Sequence, residues 1–202
     1  MRTLVVGMGN PILADDGLGV RLARDCLQLV GDRETVEVVV ECSQGGLNLL
    51  DVVSGHDRLV VFDSIKTPGG KPGTWFRFPA TALNRTLNLG SVHDANFATA
   101  LALGRCLGHL LPSPEQIWIF AVEVADNLTF SESFSPSLEA AYPQCRDEIL
   151  AEVLALLDDD PRDRSQAGQR HGKPSAVPGR GSSDGASAPP GPRHSGTGPG
   201  RG

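Results

Sequence analysis

Short apolar runs alternate with stretches of helical periodicity through most of this chain. The runs predict strands at 3–6, 36–40, 58–62, 74–78 and 117–122, the fourth of them with the alternation of an edge strand. The periodic stretches predict helices at 16–30, near 47–50, at 93–110 and at 136–157. In the third helix, the expected inward positions are Ala100, Leu103, Leu107 and Leu110. Strands alternating with helices predict a three-layer α/β/α fold around a twisted, mostly parallel central sheet of about five strands.

The composition changes after residue 158. The 44 residues at 159–202 contain ten Gly, seven Pro and six Ser, and Val177 is their one large aliphatic residue. A segment of this kind cannot bury enough apolar surface to offset the entropy lost on ordering. The sequence therefore predicts one α/β domain at 1–158, followed by a disordered Gly/Pro/Ser-rich tail at 159–202.

Charge and cysteine usage exclude several classes of partner. Residues 1–158 carry 11 Lys and Arg against 20 Asp and Glu, a net of −9, which argues against nucleic-acid binding. No apolar run approaches the ~20 residues of a membrane helix, and no signal-peptide pattern begins the chain, so we expect no membrane insertion. The cysteines are scattered without a CxxC pair, which indicates free thiols in a cytoplasmic protein. They are Cys26, Cys42, Cys106 and Cys145.

The N-terminal segment places two carboxylates where a phosphate would be expected. Gly7 and Gly9 form a turn after the first strand, and Asp15 and Asp16 stand where the first helix begins. Glycine turns of this kind usually precede a phosphate site, because the N–H groups at a helix N-terminus attract anions. Two carboxylates favour a cation or a catalytic site instead. One of the two aspartates can cap the helix, which leaves the other carboxylate to face the crevice.

Three more polar residues stand at the ends of predicted elements, and these ends should meet at the same edge of the sheet. Glu41 ends the second strand, Asp63 ends the third, and His93 opens the long helix. Ligands of such folds bind outside the carboxyl ends of the strands. One imidazole and two carboxylates suit a divalent cation such as nickel, zinc or cobalt. From the residues alone, a metal-linked hydrolytic site, a nucleotide site and purely structural roles all stay open.

The sequence also resembles a known family. The run Gly7-Met8-Gly9-Asn10-Pro11, with Asp15-Asp16-Gly17 and Gly19-Val20 after it, resembles the N-terminal motif of the hydrogenase maturation proteases. The segments at 61–64, 91–94, 119–123 and 130–136 are similar to later parts of that family, and the resemblance covers about 1–157. These endopeptidases trim the C-terminus of [NiFe]-hydrogenase large subunits, and their fold is an α/β domain around a twisted sheet.

The resemblance implies specific roles for four residues. It implies that Asp16, Asp63 and His93 bind metal, and that Asp16 and Asp63 are catalytic in an aspartic or metal-assisted endopeptidase. Asp15 is then left to cap the first helix. The implied substrate is a nickel-loaded [NiFe]-hydrogenase large-subunit precursor, which supplies the nickel and loses a C-terminal peptide. Family members often carry an Asp-Gly-Gly-Thr-like stretch after the second strand. This chain has Glu41 and Gly45-Gly46 without the Thr, so Glu41 is a candidate substrate contact only.

The sequence leaves two other functions to be tested. A dinucleotide-binding oxidoreductase would use Gly7-Met8-Gly9 as half of its fingerprint and Glu41 as the ribose-binding acid. Against this function, Ile12 occupies the third glycine position, and the adjacent aspartates would repel a pyrophosphate. A non-cleaving, metal-sensing assembly chaperone would bind the precursor through the same trio. For a protease, the absence of a G-x-S-x-G motif favours attack by water over a serine nucleophile.

Overall fold

The computed structural model describes residues 1–42, 48–85 and 92–159, so the predicted disordered tail lies outside the described residues except for Asp159. The strands are β1 Thr3–Met8, β2 Val36–Cys42, β3 Arg58–Ile65, β4 Trp75–Pro79 and β5 Ile117–Glu123. The α-helices of the described residues are α1 Leu18–Val30, α2 Asn48–Val53, α3 Val92–Cys106 and α4 Pro136–Asp158. Short 3-10 helices cover Ala14–Gly17, Ala80–Arg85 and Pro114–Gln116.

The strands form one sheet with the order β2-β1-β3-β5-β4. β1 pairs in parallel with β2 and with β3, and β3 pairs in parallel with β5. β4 lies at the edge and pairs antiparallel with β5. The mostly parallel five-stranded sheet and the edge position of β4 confirm the predictions made from the sequence.

Helices cover both faces of the sheet. On one face, α1 and α4 pack against alternate residues of the central strands, including Val5, Phe62 and Phe120. On the other face, α2 and α3 pack against the intervening residues, such as Val6 and Val61. Because both faces are covered, β3 is buried along its whole length. The three-layer α/β/α fold is therefore confirmed.

The predicted inward face of α3 is largely wrong. Of the four positions expected inside, only Ala100 is buried, while Leu103 is 42% exposed. Leu107 and Leu110 lie beyond the end of the helix and are 62% and 78% exposed. The helix instead packs Phe97, Leu101 and Gly104 inward. A Cβ at position 104 would lie only 2.5 Å from a methyl carbon of Leu50. The absence of a side chain at Gly104 lets α3 approach α2 closely.

The cysteines are free thiols, as expected. Cys26, Cys42 and Cys145 are buried, and Cys106 is exposed. Burial raises the pKa of Cys26 and of Cys145 to about 11, so both remain protonated at neutral pH and neither is an activated nucleophile. Among the described residues, no helix is long and apolar enough to cross a membrane.

Arg58 links the C-terminal end of α4 to the sheet at the amino end of β3. Its side chain is buried at the start of β3, and its guanidinium donates to the carbonyls of Leu156 and Asp159, the latter at 2.8 Å. These carbonyls belong to the last turn of α4, where a helix leaves acceptors without intrahelical donors. A buried charge supplies the missing donors.

We expect Arg58→Ala to lower the free energy of unfolding by about 2–3 kcal/mol, because two partly buried carbonyls lose a charged donor. Urea-induced unfolding followed by circular dichroism measures the change. Arg146→Ala is the matched control, since Arg146 is a surface residue that pairs with its neighbour Asp147. Its effect should stay within about 0.5 kcal/mol. Equal effects of the two substitutions would contradict the role given to Arg58.

Candidate active site

The candidate site lies where β1 and β3 separate. The chain leaves β1 toward β2 on one side and leaves β3 toward β5 and β4 on the other, so the β1/β3 boundary is the switch point of the sheet. The last β1–β3 pair joins Gly7 to Phe62. Asp63 follows at once, although β3 continues to Ile65 and does not stop at Asp63 as expected. Open α/β sheets bind their ligands at this crevice.

Glycines bring the turn after β1 close to the elements around it. Gly9 has a φ of +121°, and a Cβ there would overlap the backbone carbonyl oxygen of Asp16. At Gly19, a Cβ would collide with the carbonyl oxygens of Met8 and Phe62. The 3-10 helix and the start of α1 therefore lie against the ends of β1 and β3, which places Asp16 at the switch point.

Asp15 has a structural role, but not the helix cap expected from the sequence. Neither the 3-10 helix nor α1 has a side-chain cap. The Asp15 carboxylate is fully buried and accepts the backbone N–H groups of Ala125 and Asp126 at 3.0 and 2.9 Å. It also accepts both the N–H and the hydroxyl of Ser135, at 2.6 and 2.8 Å. Asp15 thus joins the turn after β1 to the loop between β5 and α4.

Asp16 is 8% exposed and has fewer hydrogen bonds than Asp15. Its Oδ2 accepts the backbone N–H of Asn10 at 2.8 Å, and its Oδ1 accepts the Ser64 hydroxyl at 3.0 Å. Each carboxylate oxygen can accept a second bond, so this group retains acceptor capacity for a cation or a water molecule. The difference between the neighbouring aspartates supports assigning the functional role to Asp16.

Ser64 links Asp16 to Asp63. Its backbone N–H donates to Asp63 Oδ1 at 2.8 Å, while its hydroxyl donates to Asp16. All three residues are buried. Two hydrogen bonds through Ser64 therefore connect the two predicted catalytic aspartates. Ser64 belongs to the segment 61–64 of the sequence motif, but the sequence contains no local signal that its hydroxyl would reach across to position 16.

The third predicted ligand is only partly described. His93 is the second residue of α3, and its side chain lies outside what the structure describes, as does residue 91 of the expected capping box. Val61 and Ile65 lie two positions before and after Asp63 in β3, and their side chains pack in the same core as α3. Asp63 therefore faces the side of the sheet on which α3 lies.

Among the described side chains, which do not include that of His93, no three metal-ligating groups lie together. The trio of Asp16, Asp63 and His93 thus stays a prediction.

Glu41 lies in an irregular part of β2. Val6 pairs with Val39 and Met8 pairs with Cys42, so Val40 and Glu41 together stand opposite Gly7. Such bulges often occur beside active sites, where they redirect a side chain. Glu41 is exposed at the carboxyl end of its strand. It remains a candidate for contacting a substrate at the rim of the crevice.

The glycine turn offers few donors to a phosphate. Asp16 accepts the N–H of Asn10, and the N–H of Ile12 bonds to the side chain of Asn10. Backbone carbonyls accept the N–H groups of Leu13 and of the three residues that follow it. The donors that a pyrophosphate would need are already bonded within the protein. This arrangement argues against the dinucleotide-binding alternative.

Comparison with known proteins adds direct evidence. The family model described as "Hydrogenase maturation protease" matches residues 20–152. The chain belongs to the hydrogenase maturation protease family. The matched residues include Asp63 and His93, whereas Asp16 precedes them. Membership of this family makes the protein a hydrolase of the protease class.

Individual relatives agree with the family. The chain is 27% identical over 156 residues to the hydrogenase 2 maturation protease of Escherichia coli, with 75% of this chain and 90% of that protein covered. It is 32% identical to the hydrogenase expression/formation protein HupD of Thiocapsa roseopersicina, with 67% of this chain covered and 60% of that relative's length. The hydrogenase maturating endopeptidase HybD from E. coli has a similar structure, with a TM-score of 0.62, 26% identity, and 77% and 93% of the two chains covered.

The two neighbouring aspartates should respond differently to loss of charge. In Asp15→Asn, the amide NH₂ meets a backbone N–H donor in either orientation, because both carboxylate oxygens accept such donors. In Asp16→Asn, the amide oxygen can keep the Asn10 N–H while the NH₂ donates to the Ser64 hydroxyl. We expect Asp15→Asn to cost about 3 kcal/mol of unfolding free energy, and Asp16→Asn less than about 1 kcal/mol. Denaturant unfolding of both variants measures this, and equal losses would refute the distinction.

Proposed function

We propose that this protein is an endopeptidase that removes a C-terminal peptide from a nickel-loaded [NiFe]-hydrogenase large-subunit precursor. The observation that carries the proposal is the joining of Asp16 and Asp63 through Ser64 at the β1/β3 switch point of a chain in this protease family. The names of the relatives support it, since those proteins are called hydrogenase maturation proteases or endopeptidases.

The donor set suits the nickel that the substrate brings. Carboxylate and imidazole are both acceptable ligands for a divalent cation of borderline softness. Asp16 retains acceptor capacity on both oxygens, and Asp63 faces the layer in which α3 carries His93. In this proposal, Asp16, Asp63 and His93 hold the precursor's nickel beside the scissile peptide. A cation in that place polarises the carbonyl and lowers the pKa of water toward ~7.

The chain's own residues supply the remaining chemistry. One of the two aspartates accepts the proton of the attacking water as general base, a contribution of about 10²–10⁴-fold. Ser64 fixes both carboxylates in place, and Asp15 fixes the loops around them. Glu41 contacts the precursor at the rim. We place the reaction in the cytoplasm, in agreement with the free cysteines, because a reducing compartment preserves thiols.

The test uses the full chain and the nickel-loaded large-subunit precursor encoded in the same genome, with mass spectrometry of the precursor before and after incubation. We expect the wild type to shorten the C-terminus, and Asp16→Asn, Asp63→Asn and His93→Ala each to slow cleavage at least about 10²-fold, because each removes a ligand or the base. The matched controls are Asp147→Asn on the surface of α4 and His109→Ala beyond the end of α3. Both should cleave like the wild type.

The outcomes separate the three functions. Full cleavage by any of the three site variants would remove that residue from the mechanism. A wild type that binds the precursor without shortening it would favour the assembly chaperone. A rise in melting temperature with NAD, together with no cleavage, would favour the dinucleotide-binding oxidoreductase.

Ser64 provides a more specific test of the geometry. Ser64→Ala removes the hydroxyl that positions Asp16, so we expect kcat to fall about 10-fold, which corresponds to ~1.4 kcal/mol. KM should change less than about 2-fold, since we expect the buried Ser64 not to contact the substrate. Ser64→Thr keeps a hydroxyl and should recover most of the rate. A variant that lost stability but kept its kcat would show that Ser64 is merely structural.

A further inference from the structure

Three large apolar side chains are exposed beside the candidate site. Ile12 is 48% exposed, Leu128 is 77% exposed and Phe130 is 81% exposed. Ile12 belongs to the turn that leads from β1 to Asp16, and the other two belong to the loop between β5 and α4. We call these three residues the apolar patch. Exposed apolar groups that cluster next to a site commonly mark a surface where a partner binds.

The apolar patch stands on ordered backbone. The N–H of Ser131 donates to the carbonyl of Ile12 at 3.0 Å, and the N–H of Ala14 donates to the carbonyl of Ser131 at 2.7 Å. These bonds form a parallel bridge between Leu13 and Ser131, so Ile12 and Phe130 are neighbours on adjacent chain segments. A partner would therefore meet side chains whose backbone is already fixed.

Asp126 fixes the position of Leu128. Its Oδ1 accepts the N–H groups of Leu128 and Thr129, both at 3.1 Å. Hydrogen bonds from Thr129 and Leu128 lower the pKa of Asp126, because they stabilise its ionised carboxylate. The N–H of Asp126 in turn bonds to Asp15. The loop that carries Leu128 and Phe130 is thus tied directly to the residue next to Asp16.

We propose that the apolar patch binds the C-terminal extension of the precursor, the part that cleavage releases; this inference rests on the proposed function. The loop that carries Leu128 and Phe130 is joined to the candidate site by the hydrogen bonds of Asp15. Affinity that comes from the removed segment is lost when the peptide bond is cut, so it does not slow release of the mature subunit. The exposed Glu132 stands two residues beyond Phe130, and the domain is acidic, so the extension is expected to be apolar with a neutral or basic flank.

The experiment compares Leu128→Ser/Phe130→Ser with the wild type, using full chains. The matched control is Leu107→Ser/Leu110→Ser, which removes two similarly exposed apolar side chains beyond the end of α3. We call Leu128→Ser/Phe130→Ser the patch variant. Its KM for the precursor should be at least about 10-fold higher than that of the wild type, with kcat changed less than about 2-fold, because aromatic and apolar anchors dominate such interfaces. The control should behave like the wild type, and thermal unfolding should confirm that both variants fold.

A second measurement identifies the occupant. Binding to the wild type and to the patch variant is compared for the precursor and for the same large subunit without its C-terminal extension. We expect the patch variant to bind the precursor more weakly than the wild type does. The wild type and the patch variant should bind the shortened subunit equally well. An unchanged KM, an equal loss with the shortened subunit, or sedimentation that shows a dimer disrupted by the patch variant would each overturn the proposal.

The results also separate this inference from the proposed function. If the wild type cleaves and the patch variant cleaves equally well, the patch proposal fails while the protease assignment stands. If the wild type binds the precursor without cleaving it, the protease assignment fails, and the two binding measurements still decide whether the patch holds the extension.

Discussion

The geometry of the candidate site depends on one buried carboxylate, that of Asp15. This side chain accepts four hydrogen bonds from the loop between β5 and α4, including two from Ser135, the N-cap residue of α4. Three of these donors are backbone N–H groups, which are costly to leave unpaired inside a protein. The carboxylate compensates for its own burial by satisfying them. Two loops that are far apart in sequence are thereby held at the same edge of the sheet.

This role of Asp15 determines what its neighbour can do. With the loops fixed by position 15, Asp16 is bonded only to Asn10 and Ser64 among the contacts described for it, and it retains acceptor capacity at the switch point. Adjacent aspartates are often treated as a pair that shares one function. Here the two carboxylates differ, because that of Asp15 accepts four hydrogen bonds and that of Asp16 accepts two, which leaves Asp16 more acceptor capacity for a cation.

The sequence predicted the parts of this protein that depend on local patterns. The alternation of strands and helices, the edge strand β4 and the crevice at the carboxyl ends all follow from periodicity and from general rules of α/β topology. Contacts between distant residues were not predictable in the same way. The inward face of α3 was misjudged because Gly104 packs against Leu50 of another helix. The cap assigned to Asp15 was misjudged because its partners lie more than 100 residues away.

The glycine turn shows how a common scaffold can change the sign of the ligand it receives. In a phosphate-binding turn, the backbone N–H groups remain available for an anion. In this chain, the Asp16 carboxylate accepts a hydrogen bond from one of these N–H groups. Backbone carbonyls or the side chain of Asn10 accept hydrogen bonds from other N–H groups of the turn. The carboxylate thus neutralises the anion-attracting turn and adds a negative charge at the same place. A crevice with this turn favours a cation over an anion, which agrees with the proposal that the substrate brings its own metal.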